Sequence, residues 1–124
     1  MLEEANVPEV LIVQTNNILH QKIKSELAQT SLRVDRDYKL FRNPSDVQDF
    51  LHVGHDQVVV TGLLSDDLQT TGVFIRRWQA VPEVSIWWFS RTPPPRGSCN
   101  LAIPLGNDGD NICENLLQRI FRRV

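Results

Sequence analysis

Short, unbroken apolar runs alternate along this chain with stretches of mixed polarity. Val10-Leu11-Ile12-Val13, Val58-Val59-Val60, Trp87-Trp88-Phe89 and Leu101-Ala102-Ile103 are the clearest runs. Runs of this length, rich in β-branched and aromatic residues, belong to strands covered on both faces, as in a parallel sheet. They predict strands over Glu9–Gln14, Gln57–Thr61, Val84–Phe89 and Asn100–Leu105. Leu32–Phe41 is different, because Val34, Arg36, Tyr38 and Leu40 alternate there with Arg33, Asp35, Asp37 and Lys39. That pattern predicts an edge strand, where charge discourages pairing with another chain.

Between these runs the apolar spacing becomes helical. After Asn16 or Asn17, either of which can cap a helix, Leu19, Ile23 and Leu27 recur at i, i+4 and i+8. In this register His20 falls on the solvated polar face. Asn43-Pro44-Ser45-Asp46 predicts a helix start, with Asn as N-cap and Pro at the first helical position. Val47, Phe50 and Leu51 then face the core, and His52-Val53-Gly54 ends the helix. Gly62–Thr71, with Asp66-Asp67, reads as a polar loop, and Gly72–Ala80 as a short helix carrying Val73, Phe74, Ile75 and Trp78, stopped by Pro82. Gly106–Asn111 reads as a turn and cap. The last helix runs Ile112–Val124, with Ile112, Leu116, Ile120 and Val124 in i+4 register beside Leu117 and Phe121.

Strand alternating with helix throughout predicts an α/β fold, a doubly wound parallel sheet. One connection departs from that pattern. Arg91-Thr92-Pro93-Pro94-Pro95-Arg96-Gly97-Ser98 lies between the last two buried runs. A parallel crossover normally contains a helix, and consecutive prolines forbid one and favour an extended polyproline stretch. The fourth crossover helix is therefore expected to be missing or shortened.

Composition narrows the function classes. The 124 residues fit a single domain, 1–124, with 41% hydrophobic and 23% charged residues. A net charge of -2 offers no overall attraction for nucleic acid or membrane, so no direct nucleic-acid or membrane contact is expected. No apolar stretch approaches the roughly 20 residues that span a bilayer. The acidic start Met1-Leu2-Glu3-Glu4 lacks the character of a secretory signal, making the cytoplasm the expected compartment. Cys99 and Cys113 are then expected as free thiols.

In open α/β sheets, chemistry sits just beyond the carboxyl ends of the strands. Here those ends carry Gln14-Thr15-Asn16, Thr61-Gly62, Ser90-Arg91 and Pro104, with no carboxylate pair and no nucleophile beside a base. No catalytic residue, metal ligand set or cofactor is expected, and the chain is not read as an enzyme. His52 and His55 at i, i+3 lack the further ligands a structural zinc needs. Asp108-Gly109-Asp110-Asn111 lacks the spacing of an EF-hand calcium loop and reads as a helix cap. Arg119, Arg122 and Arg123 suit the negative end of a helix dipole, and Cys99 suits a small core or edge position. Trp87 and Trp88 point to opposite faces of one strand, so each needs its own cover. Where the proline loop removes a helix, an aromatic contact surface is expected.

Alternating β/α units over roughly Glu9 to Val124 resemble the bacterial response-regulator receiver domain. The resemblance implies a flavodoxin-like five-stranded sheet of order 2-1-3-4-5. The family's acid pair after the first strand falls on Gln14 and Thr15, and its phosphoacceptor Asp falls on Thr61-Gly62. Ser90 matches the hydroxyl residue ending the fourth strand. Ile103 stands at the family's lysine, followed by Pro104 as in the family, which implies a cis Ile103–Pro104 peptide. Mg²⁺ needs carboxylates and aspartyl phosphorylation needs the acid itself, so the resemblance is to a degenerate pseudo-receiver.

That resemblance implies a phosphorylation-independent protein-interaction or dimerisation module in bacterial signalling or transcription regulation. Its partner is a protein or a second copy of the chain. The expected contact face comprises strand Val84–Phe89, the proline loop, strand Asn100–Leu105 and the last helix, with Trp87, Trp88, Pro93, Pro94, Pro95, Arg96 and Phe121 as candidate residues. Two alternatives stay open. One is a small-ligand-binding domain using hydroxyls and amides at the strand ends (Thr15, Asn16, Thr61, Gly62, Ser90), and the other is a phosphocarrier using Cys99.

Overall fold

A computed structural model of the protein describes residues 10–51, 57–61, 67–81, 84–90, 101–103 and 112–121. The described elements form an α/β domain whose strands all pair in parallel. β1 (Val10–Val13) lies between β2 (Tyr38–Phe41) and β3 (Gln57–Val60), and β3 continues to β4 (Ser85–Phe89). A three-residue strand, β5 (Leu101–Ile103), pairs with the end of β4, aligning Trp87 with Leu101 and Phe89 with Ile103. Register is well defined at the centre, where Val13 stands beside Phe41 on one side and Val60 on the other.

The unbroken apolar runs follow from helices on both faces of this sheet. On one face, Val10, Ile12, Tyr38, Val59 and Phe89 pack with Ile23 and Leu27 of helix α1 (Asn17–Ala28), with Ile112 and Cys113 of helix α4 (Ile112–Asn115), and with Leu116 just after it. On the other, Leu11, Val13, Val58, Val60, Ile86 and Trp88 pack with Val47 of helix α2 (Pro44–Val47) and with Ile75 and Trp78 of helix α3 (Leu68–Gln79). Each central strand therefore has no wet face, and an alternating pattern would bury charge.

The helix starts have local causes. Asn16 has extended backbone angles, and its Oδ1 accepts the Leu19 N–H at 3.0 Å. Asn43 Oδ1 accepts the Ser45 N–H at 3.1 Å, with Pro44 opening the helix. α2 is only one turn long and tightens into a 3₁₀ turn over Gln48–Phe50, which leaves Phe50 and Leu51 partly buried against the core.

Four elements differ from the sequence reading. The second helix, with its 3₁₀ turn, ends at Phe50, and Leu51 is already extended, short of the His52-Val53-Gly54 stop expected from the sequence. Helix α3 begins at Leu68 instead of Gly72 because Asp67 caps it: Oδ1 accepts the Thr70 N–H at 2.6 Å, and Oδ2 accepts its hydroxyl. The edge strand is short. Asp35 takes φ 66°, a left-handed conformation that Asp tolerates better than most residues, and Asp37 Oδ2 accepts the Arg33 N–H at 2.7 Å. These local bonds turn the chain ahead of Tyr38, leaving Val34 joined only by a single bridge. The last helix widens after Asn115 into a π-helical stretch over Leu116–Ile120, whose final bond runs from the Phe121 N–H to the Leu116 carbonyl at 2.9 Å. The wider turn breaks the i+4 register: Leu116 is buried, but Ile120 and Phe121 are half-buried.

The proline segment Pro93–Pro95, Arg96, Cys99 and the reading of a shortened fourth crossover lie outside the described residues. So do Gly62, Pro104 and its peptide bond, the His52/His55 pair, Asp108–Asn111, Arg122 and Arg123.

Candidate functional site: the strand ends and the face of Trp87

The carboxyl ends of β1 and β3 are joined by a compact polar knot. Parallel register carries Gln14 and Thr61 next to each other, one residue past the aligned Val13 and Val60. Gln14 Nε2 donates to the Thr61 hydroxyl at 2.9 Å and to the Thr61 carbonyl at 3.2 Å. The Thr61 hydroxyl in turn donates to the Val13 carbonyl at 2.9 Å, and Gln14 Oε1 accepts the Asn16 N–H at 2.9 Å. Both side chains are buried, with 2% and 3% of their surface exposed. An amide and a hydroxyl thus meet their hydrogen-bonding needs internally, at the carboxyl ends of two adjacent strands.

The remaining strand-end residues stand nearby in the chain order. Thr15 is half-buried and Ser90 is buried at the end of β4, while Ile103 closes β5. Among the described residues no three of His, Cys, Asp and Glu come close enough together to hold a metal ion. Asp67, the only acid described in the Gly62–Thr71 segment, serves as the α3 cap, and its bonds to Thr70 hold its carboxyl below the usual carboxylate range.

The tandem tryptophans divide as the strand geometry requires. Trp88 is fully enclosed among Val13, Val60, Ile75 and Trp78, which removes it from the contact surface that the sequence suggested. Trp87 faces the α1/α4 side, half-buried, and meets Phe89 edge to face at 6.4 Å. Its indole Nε1 is buried with no hydrogen-bond partner among the described residues. Phe121, Leu117 and Ile120 pack partly buried on the same side, and Phe121 meets Tyr38 edge to face at 6.3 Å. The candidate face therefore narrows, among described residues, to Trp87 and Phe121 with their apolar neighbours.

Cys113 is buried and free, its Sγ 3.9 Å from the Ile23 carbonyl. Burial, followed by the neighbouring Glu26 carboxylate, pushes its thiol up to about 12, so it is not a thiolate near neutrality.

Two features escaped the sequence reading. The Gln14–Thr61 bond joins residues 47 apart and required strand register; its only signal was that each directly follows a buried run. His20 is buried, not solvated: it is 9% exposed and lies on the same stripe as Ile23 and Leu27, at i−3 and i−7. That spacing was visible, but the residue's polarity argued the other way.

Comparison with protein-family models, with curated proteins and with solved structures finds no match. No helix among the described residues is long and apolar enough to cross a membrane.

Proposed function

We propose that the chain is a pseudo-receiver: a flavodoxin-like domain of five parallel strands in the order 2-1-3-4-5 that works without phosphorylation, as a protein-interaction or dimerisation module in bacterial signalling or transcription regulation. The observation that carries this reading is the Gln14–Thr61 knot. A receiver needs carboxylates there to hold Mg²⁺ and to accept a phosphoryl group. In this chain an amide and a hydroxyl bond to each other and to the backbone. The same closure counts against a ligand site at these two residues, since a ligand must first displace bonds already made.

With the chemistry absent from the strand ends, activity shifts to binding, and the module is not an enzyme. Trp87 and Phe121, two half-buried aromatics on the same face of the sheet, support a protein contact on that face, because aromatic residues are enriched in interface cores. Incubation with acetyl phosphate and Mg²⁺ is expected to leave the intact mass unchanged. An acid-stable or hydroxylamine-sensitive phosphoryl adduct overturns the reading.

A further inference from the structure

A groove of about 300 Å³ opens between helix α1 and the edge strand β2, away from the strand ends. Its walls are largely apolar, from Ala28, Val34, Leu40 and the Tyr38 ring. Val34 stands at its rim with 60% of its surface exposed. Lys24 enters from the helix, and Asp35 and Lys39 stand at the other side, paired with each other at 3.0 Å. His20 also lines the groove, and its Nδ1 is buried without a hydrogen-bond partner among the described residues. Buried polar atoms of folded proteins almost always have a partner, so an unpartnered imidazole nitrogen in a residue lining an open groove marks an interaction that the described residues do not supply.

We propose that this groove binds a small organic monocarboxylate, with its apolar body on Ala28, Val34 and Leu40 and its carboxylate against Lys24 and His20. The volume lies at the lower limit of small-molecule sites, and mostly apolar walls with a few polar groups are usual for such sites. Charge selects the sign. The Lys39–Asp35 pair cancels itself, which leaves Lys24 as the groove's uncompensated charge and makes an anion the complementary ligand. Asp35 at the opposite rim opposes a second negative charge, and the apolar walls give inorganic phosphate nothing to bury against.

The charged and titratable groups around His20 are Lys24 on its own helix, Arg42 just after β2, and Tyr38, Asp35 and Lys39 along the β2 edge. Burial, then Arg42 and Lys24, holds the imidazole below the ordinary histidine value. A bound carboxylate offsets that positive field and favours the imidazolium, so binding takes up protons and tightens as pH falls.

Titration of isotope-labelled protein with butyrate and benzoate, followed by NMR, tests the assignment, with n-butanol and inorganic phosphate as controls. Saturable shifts are expected at the His20 ring and at the Val34 and Leu40 methyls with either carboxylate, tighter at about pH 6 than at about pH 8. Lys24 is exposed, so Lys24→Gln keeps the fold and is expected to weaken binding about tenfold, the loss of one charge-assisted hydrogen bond. His20→Gln is expected to abolish the pH dependence. Absence of saturation, equal affinity in Lys24→Gln, or binding of butanol or phosphate as tight as butyrate overturns the proposal.

Discussion

Gln14 and Thr61 each follow directly on a run of buried aliphatic residues, and both lie inside the protein. Their mutual bonds replace the water each polar group leaves behind, so neither can be changed alone without stranding the other. Thr61→Val removes the hydroxyl that accepts from Gln14 Nε2 and donates to the Val13 carbonyl. We expect a loss of about 1–3 kcal/mol in urea unfolding, the cost of buried groups left unpaired. His20 is the second residue whose setting determines its behaviour. Its folded-state proton affinity is depressed, so the unfolded chain binds the proton more readily as pH falls. The stability tied to this group is present above its unfolded value of about 6.5 and is lost as pH drops below it. Urea midpoints measured at about pH 7.5 and about pH 5.5 should differ less in His20→Leu than in the wild type. An unchanged difference would mean that His20 is not the group responsible.

Helix boundaries in this protein follow side-chain caps more than hydrophobic spacing. Asn16 and Asn43 were legible in the sequence as caps because each directly precedes a recognisable start, the latter followed by proline. Asp67 was not, because Asp66-Asp67 sits in a polar stretch that reads as loop, and Leu68–Thr71 shows no apolar periodicity. Asn43→Ala is expected to cost about 1 kcal/mol, because α2 is a single turn with little else to define its start. For α3, Asp67→Asn keeps an acceptor for the Thr70 N–H while removing the titrating carboxyl. The lowered pKa of Asp67 supports folding above the ordinary carboxylate range, and that support is lost as pH falls through the lower folded-state value. The variant's acid-unfolding curve should therefore begin from lower stability and fall less steeply. The edge strand and the π-helical turn are harder cases. The alternation over Leu32–Phe41 is genuine, yet Asp35 and Asp37 offer the backbone local bonds that outcompete a ladder at an edge. The π-helical turn has no signature in residue type, and its register appears only once α4 is packed.

For the molecule as a whole, the two faces of β4 differ in how completely they are enclosed. Trp88→Ala opens a cavity in the α2/α3 side of the core and is expected to cost about 3–5 kcal/mol in denaturant unfolding. Trp87 is half-buried on the opposite face, packed against the same core cluster as Leu117, Ile120 and Phe121. Trp87→Ala should leave the protein folded and shift its sedimentation from dimer towards monomer if this side mediates self-association. A wild-type chain that is monomeric at every concentration removes the homodimer. The alternation of elements, the doubly covered central strands and the missing acids at the strand ends were settled by sequence alone, because period and residue chemistry are local properties. What lay between distant residues was decided only by the tertiary structure. Parallel register brought Gln14 against Thr61, sheet packing turned Trp87 and Trp88 to different surroundings, and the approach of β2 to α1 buried His20 beside a groove. Pairings of that kind depend on how strands align in space, which no spacing along the chain encodes.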